Sequence, residues 1–222
     1  MPNNGGSLFS TRAAQLKSVG IGDLSSKICL KVVETFLYQE PEIHLPTGDM
    51  TPTLVDQFHQ AVMKDDGLLA NYVHTLTIKR GASRRIESSV DEALLLALQN
   101  LRRLRVESTY GGVAPPSVSP SSQFSNITHL VWRTDVTDQF SFAAFLEALP
   151  GLEYLGVFAD KLTGTISLAP SALPLLRHLD RASFDFAASI LPGRQIHHLG
   201  LYTDYYLPPQ YQPLSPSLKD AH

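Results

Sequence analysis

The stretch Leu101-Arg-Arg-Leu-Arg-Val106 has apolar side chains at its first, fourth and sixth positions, with arginines between them. Two later stretches, Ile127-Thr-His-Leu-Val-Trp132 and Leu152-Glu-Tyr-Leu-Gly-Val157, have the same spacing. Alternation of this kind over a short run is typical of a β-strand with one buried face. We therefore predict a strand at each stretch, with its apolar triplet turned toward a core.

Six such triplets occur along the chain, and their first residues are separated by 28, 26, 25, 24 and 20 positions. They are Val73/Leu76/Ile78, Leu101/Leu104/Val106, Ile127/Leu130/Trp132, Leu152/Leu155/Val157, the incomplete Leu176/Leu179 and Ile196/Leu199/Leu201. This period and pattern are typical of leucine-rich repeats. We predict an α/β fold: an irregular leucine-rich-repeat-like solenoid with parallel strands on its concave face, helices or loops on its convex face, and an N-terminal helical cap. An ordinary α/β domain with evenly spaced strands is the alternative.

The segments between the triplets support the repeat interpretation. In four units a further apolar residue stands three positions before the triplet, namely Leu98, Phe124, Leu149 and Leu173. Helical patterns occupy residues 89–98 and 141–149, and Pro150 ends the second. Residues 111–123 are too rich in Pro, Ser and Gly for a regular helix, and we expect a loop there.

Three regions follow from this pattern. Residues 1–70 form the predicted helical cap, with helical patterns at 24–38 and 54–63 and a short apolar element at 43–45. Residues 71–206 form the repeat array, and residues 207–222 form a proline-rich tail. A solenoid needs a cap of this kind because its terminal repeat otherwise exposes an apolar face.

Composition restricts the class of partner and the compartment. The 222 residues carry a formal charge of −3 and a pI near 6.2, which argues against general nucleic-acid or membrane binding. A single cysteine, Cys29, excludes an intrachain disulfide. The first residues lack the features of a signal peptide, and no apolar run reaches membrane-spanning length. We expect an intracellular protein of the cytoplasm or nucleus.

The residues that alternate with the triplets face the opposite side of a strand, and we predict that they form a binding surface. The candidate partner-binding residues on this concave face are Arg103, Arg105, His129, Arg133, Tyr154, Phe158, His178, His198 and Tyr202. Arginine can bind carboxylates or phosphate through forked donors, and aromatic residues anchor many interfaces. The same alternation places Asp180 and Ala182 on this face. A solvated strand face without a partner is the alternative.

Motifs for catalysis are not found in the sequence. It contains no phosphate-binding glycine loop, serine-nucleophile elbow or paired zinc-cysteine motif. His197 and His198 are adjacent, so alternation turns their rings to opposite faces. We predict no catalytic residue, metal or cofactor, and therefore a non-enzymatic interaction protein. A small hydrolase that uses the concave-face histidines is the alternative.

Two segments carry a family resemblance. Asp23-Leu-Ser-Ser-Lys-Ile-Cys-Leu-Lys-Val-Val-Glu-Thr-Phe-Leu-Tyr-Gln-Glu-Pro-Glu-Ile-His-Leu45 is similar to the last F-box helix and the strand entry that follows it. Asn71-Tyr-Val-His-Thr-Leu-Thr-Ile78 is similar to a first repeat strand. Over residues 20–205 the chain thus resembles fungal F-box proteins with leucine-rich-repeat-like C-terminal regions.

The resemblance implies a substrate-recognition subunit of a ubiquitin ligase that binds a protein substrate and a Skp1-type adaptor. Nothing before residue 23 matches the leucine–proline pair that opens an F-box. A truncated or decayed repeat scaffold that binds no adaptor is therefore the alternative.

Overall fold

The computed structural model describes residues 38–45, 54–80, 92–108, 113–119, 123–134, 136, 138–158 and 166–201. Within them, seven parallel strands form one sheet in chain order: β1 (Glu42–Leu45), β2 (Thr75–Arg80), β3 (Arg103–Ser108), β4 (His129–Arg133), β5 (Tyr154–Val157), β6 (His178–Ala182) and β7 (His198–Leu201). The helices are α1 (Leu54–Gly67), α2 (Glu92–Ala97), α3 (Gln139–Glu147) and α4 (Phe184–Ile190), with a 3₁₀ helix at Leu69–Tyr72. The predicted α/β class with parallel strands is confirmed.

The triplets set the register of the sheet. Their middle residues are paired from strand to strand across β2 to β7, in the order Leu76, Leu104, Leu130, Leu155, Leu179 and Leu199. The sheet also begins one strand earlier than the triplets predict, because β1 pairs with β2 and places Ile43 opposite Ile78. The apolar element at 43–45 is therefore the first strand of the sheet.

A backbone hydrogen-bond pattern recurs at five successive steps of the sheet. At each step one carbonyl near the start of a strand accepts from two successive N–H groups of the next segment. The carbonyl of Thr128, for example, accepts from Glu153 at 2.9 Å and from Tyr154 at 3.0 Å. The other accepting carbonyls belong to His74, Arg102, Glu153 and Arg177. Each segment is therefore aligned with its neighbour in the same way.

The apolar residue three positions before a triplet has a structural role. Its carbonyl accepts a hydrogen bond from the N–H of the first triplet residue, at 2.9 to 3.3 Å, which closes a turn into the strand. This bond occurs in five units, where the accepting residues are Ala70, Leu98, Phe124, Leu149 and Leu173. All five accepting residues are buried, so the turn also adds an apolar side chain to the core.

One core lies between the sheet and the helices. Buried residues of all four helices join the same apolar cluster as the triplets: Phe58 and Val62 of α1, Leu94 and Leu95 of α2, Phe142, Phe145 and Leu146 of α3, and Phe186, Ala187 and Ile190 of α4. Trp132 is fully buried, with ring centroids 5.4 Å from Phe142 and 6.1 Å from Phe145. The helices thus cover the triplet face of the sheet and leave the other face open.

The sheet departs from the predicted pattern at β6. Strict alternation would send Arg181 toward the core and Ala182 to the opposite face of the sheet, but Arg181 adopts φ 54° and the register with β7 shifts there. This β-bulge lets Ala182 take the third core position, where it is fully buried. The prediction that Ala182 lies on the binding face is therefore wrong.

The last triplet also departs from expectation. Leu199 and Leu201 are 42% and 44% exposed, although the pattern predicts that both are buried. They lie on β7, the edge strand of the described sheet, so no further strand packs beside them. The apolar spacing is the same as in the inner strands, but the neighbour that would bury these leucines is missing from the described residues.

The helices agree with the predictions in part. The pattern at 54–63 corresponds to α1, the pattern at 89–98 to the shorter α2, and the pattern at 141–149 to α3, which begins earlier because the side chain of Asp138 caps it. Residues 113–119 form neither helix nor strand, as expected for the loop. Helix α4 was not predicted, and Ser183 caps it. The helical pattern at 24–38, apart from Tyr38, lies outside the described residues, as do Cys29, Tyr202 and the tail.

Candidate functional site

The sheet face opposite the helices, called here the open face, carries eight of the nine predicted partner-binding residues. All eight are exposed or half-buried: Arg103, Arg105, His129, Arg133, Tyr154, Phe158, His178 and His198. On β3 to β6 the core-facing residues beside them are buried, so the two sides of these strands differ as the alternation predicts. The ninth residue, Tyr202, lies outside the described residues.

Four aromatic rings form a row across β4 to β7, called here the ring row, which consists of His129, Tyr154, His178 and His198. Their Cα positions are paired in register, which brings each ring beside the next. Successive ring centroids are 5.7, 6.4 and 5.9 Å apart, and the planes of the first two pairs are 19° and 29° from parallel. The row is therefore a continuous aromatic strip that runs perpendicular to the strands.

The environment of the ring row shifts two of its pKa values. Burial, followed by the charge of Arg103, lowers the pKa of His129 below 6.5, against an opposing effect of Glu153. Burial, followed by the charge and hydrogen bond of Asp180, raises the pKa of Tyr154 above 10.0. At neutral pH both side chains are therefore mainly uncharged, and the first two rings present an uncharged stacked surface.

A network of charged groups lies beside the ring row on β3 and β4. Arg105 Nε donates to Glu107 Oε1 at 2.6 Å, and Arg133 Nη1 donates to the same oxygen at 3.1 Å. Burial would raise the pKa of Glu107, but the hydrogen bonds and charges of Arg105 and Arg133 outweigh it, so this pKa lies below 4.5. Glu107 thus holds the side chains of Arg105 and Arg133 in place on the open face of β3 and β4.

Phe158 is flanked by two guanidinium groups. The guanidinium carbon of Arg133 lies 4.3 Å from the ring centroid, and that of Arg181 lies 4.6 Å from it. These arginines belong to β4 and β6, the two neighbours of β5, which Phe158 directly follows. Cation–π attraction holds both planar groups against the ring. We call Arg133, Phe158 and Arg181 the arginine–phenylalanine cluster.

A row of short side chains separates the ring row from the cluster. Val131, Gly156 and Asp180 are aligned in register, and the Asp180 side chain lies against Gly200 on β7. Tyr154 donates its hydroxyl hydrogen to Asp180 Oδ2 at 3.1 Å. A Cβ atom on Gly156 would lie 3.3 Å from the Tyr154 ring and 3.5 Å from the Phe158 ring. Because Gly156 has no side chain, the Tyr154 and Phe158 side chains occupy the space above it.

Arg181 is the open-face residue that the sequence prediction missed. Alternation assigns it to the core side, and only the bulge turns its side chain to Phe158. The one signal in the sequence was the incomplete fifth triplet, in which an arginine occupies an expected apolar position. Asp180 was placed on this face correctly, but its contact with Tyr154 was not foreseen.

On the helix side, the described residues form a cleft and expose a large aromatic side chain. A cleft of about 450 Å³ lies between residues 166–168 and α4, lined by Ile166, Ser167, Leu168, Asp185, Ala188, Ser189 and Pro192. Phe140 of α3 is 90% exposed. Among the residues that the structure describes, no three His, Cys, Asp or Glu side chains are grouped to hold a metal ion. None of the described helices has the length and apolar character needed to cross a membrane.

Comparison with known proteins does not assign the chain to a family. No family model matches the sequence, and neither the curated proteins nor the solved structures include a significant match.

Proposed function

We propose that this chain is an irregular leucine-rich-repeat-like protein that binds a partner protein on its open face. The observation that carries the proposal is the continuous ring row on β4 to β7, together with the arginine–phenylalanine cluster on the same face. Aromatic residues and arginine are the types that contribute most to binding energy at protein interfaces. The strip is rigid because its backbone belongs to a hydrogen-bonded sheet.

The repeat part of the proposal rests on the period of the triplets and on the recurrent backbone bonds. The same two-donor hydrogen bond occurs at five steps, and the same turn precedes five strands. These are properties expected of repeated units that each contact only their neighbours. Such arrays present one extended strand surface, and in solenoid proteins that concave surface is the usual place for a partner.

Within this proposal, the partner is a substrate of a ubiquitin ligase and the chain is an F-box-like recognition subunit. The support is the resemblance of residues 23–45 and 71–78 to fungal F-box proteins with repeat-like C-terminal regions. Co-expression with a Skp1-type adaptor tests this part, and we expect a complex that survives size-exclusion chromatography. Failure to co-purify would instead favour a repeat scaffold that joins no ligase.

Partner binding on the open face is tested by affinity purification with mass spectrometry, using wild-type protein and matched variants. We expect Tyr154→Ala and Arg103→Glu to lose the partner while they retain the wild-type circular dichroism spectrum. Phe140→Ala is the control, because it removes an exposed aromatic side chain from the helix side. If both open-face variants still hold the partner, or if only Phe140→Ala loses it, the binding surface is wrongly placed.

A further inference from the structure

Among the strand residues that the structure describes, Arg181 alone has a positive φ, and the bulge there changes which side chains lie on the open face. A positive φ is uncommon for a residue with a side chain, and it persists only where surrounding structure enforces it. Here Ala182 fills the core position, and the Arg181 guanidinium moves to the face of Phe158. Leu173 adopts a similar φ of 52°, but its side chain is buried in the core, so what distinguishes Arg181 is that its side chain lies on the open face.

The bulge adds a cation to a patch that is already positive. On the open face of β3 to β6, four arginines (Arg103, Arg105, Arg133 and Arg181) stand against two carboxylates (Glu107 and Asp180), which leaves a formal charge of +2 with the histidines neutral. The whole chain carries −3. The patch is therefore opposite in sign to the protein around it.

The arginines of the patch differ in how far their charge is already neutralised. Arg105 and Arg133 share Glu107. Neither Arg103 nor Arg181 forms an ion pair with any other residue that the structure describes. The Arg181 guanidinium lies over the Phe158 ring, and this cation–π contact restrains it on the open face. A preorganised, unneutralised fork of donors is suited to a carboxylate.

We propose that the open face binds an acidic segment of the partner protein, and that one of its carboxylates binds Arg181 at the arginine–phenylalanine cluster. This inference rests on the proposed function and names the chemistry of the partner. The Tyr154 and Phe158 side chains lie over Gly156, and the Asp180 carboxylate lies against Gly200, so the segment contacts these side chains rather than the sheet backbone. Asp180 repels a carboxylate placed directly over it, so the acidic side chain is directed to the cluster.

The test measures fluorescence anisotropy with two labelled peptides, one of alternating glutamate and alanine and one with glutamine in place of glutamate. We expect the wild-type protein to bind the glutamate peptide about tenfold more tightly, and this preference to weaken as salt is added. In Arg181→Gly, which tolerates the same φ, we expect the preference to fall to about threefold or less. Lys64→Gln on α1 removes the same charge from the helix side and should preserve the preference.

A second variant separates the ring from the charge. Phe158→Leu keeps both arginines but removes the aromatic surface on which they stack, so we expect a reduced preference even if Arg181→Gly folds poorly. Circular dichroism melting curves check the fold of each variant. The proposal is wrong if wild-type protein does not distinguish the peptides, or if folded Arg181→Gly and Phe158→Leu both keep the full preference.

Two further ligands distinguish the source of the negative charge. Tighter binding of a phosphoserine peptide, or of a single-stranded oligonucleotide, than of the glutamate peptide would contradict the assignment to carboxylates. Loss of the partner in Tyr154→Ala without any preference for acidic peptides would refute this inference alone and leave the proposed function standing. Retention of the partner in all open-face variants would refute the proposed function itself.

Discussion

Two leucines at the same triplet position provide a direct test of the shared core. Leu155 on β5 is fully buried, whereas Leu199 on β7 is 42% exposed. Leu→Ala removes three carbons, so full burial implies about 2.4 kcal/mol of lost transfer free energy at about 0.8 kcal/mol each. The cavity left at Leu155 brings the expected loss to about 3 to 4 kcal/mol. At Leu199 the partial burial limits the loss to about 1 kcal/mol, because no closed cavity forms.

The assay is urea unfolding followed by circular dichroism for wild type, Leu155→Ala and Leu199→Ala. Thermal melts provide a second measurement, in which a chain of this size should lose about 2 to 4 °C of Tm per kcal/mol of stability. Leu155→Ala should therefore melt about 6 to 16 °C below wild type, and Leu199→Ala about 2 to 4 °C below it. Equal losses, or a larger loss for Leu199→Ala, would refute the argument. Either result would mean that β7 is covered as fully as the inner strands.

Three other changes test particular contacts. Gly151→Ala should destabilise the protein by about 1 to 3 kcal/mol in urea unfolding, because its Cβ would collide with the backbone carbonyl of Ser125, and unchanged stability would show that this approach is not required. The folded-state pKa of Glu107 lies below 4.5, so its stabilising effect is complete above that pH and is lost as pH falls through the folded pKa. As pH falls, the Tm of Glu107→Gln should therefore decrease less than the Tm of wild type. A plot of Tm against pH that stays parallel to the wild-type plot would contradict this role. The pKa of His129 is lowered below 6.5, so the unfolded chain takes up the proton first and stability falls as pH drops below 6.5. His129→Gln should reduce the Tm difference between pH 7.5 and pH 5.5, and an unaltered difference would argue against the shift.

The sheet could be predicted from sequence because its strands satisfy a simple rule. Each inner strand buries its own triplet, and the helices between strands supply the other half of the core. Alternation therefore placed Leu104 and Leu130 toward the core and Arg103 and His129 on the open face, as the structure has them. The same rule could not predict the exposure of Leu199, because burial at an edge depends on a neighbouring strand and not on the residue itself.

Other features depend on conformations that a residue pattern does not encode. The bulge at Arg181 changes the face of one side chain through a single φ angle, so a count of alternating residues assigns the wrong side. Helix α4 was missed because it begins two residues after β6 ends, so no run of turn residues marks the boundary between strand and helix. The contact of Tyr154 with Asp180 requires both the register of β5 with β6 and the absence of a side chain at Gly156.

The central claim is that strands β2 to β7 lie side by side, parallel and in chain order, over one apolar interior. Nuclear Overhauser effects between leucine methyl groups and between backbone amides of isotope-labelled protein measure this directly. We expect an unbroken series of contacts from Leu104 to Leu130, to Leu155 and to Leu179, with the interstrand pattern of a parallel sheet. Contacts that skip a strand, or an antiparallel pattern between any two of them, would contradict the claim.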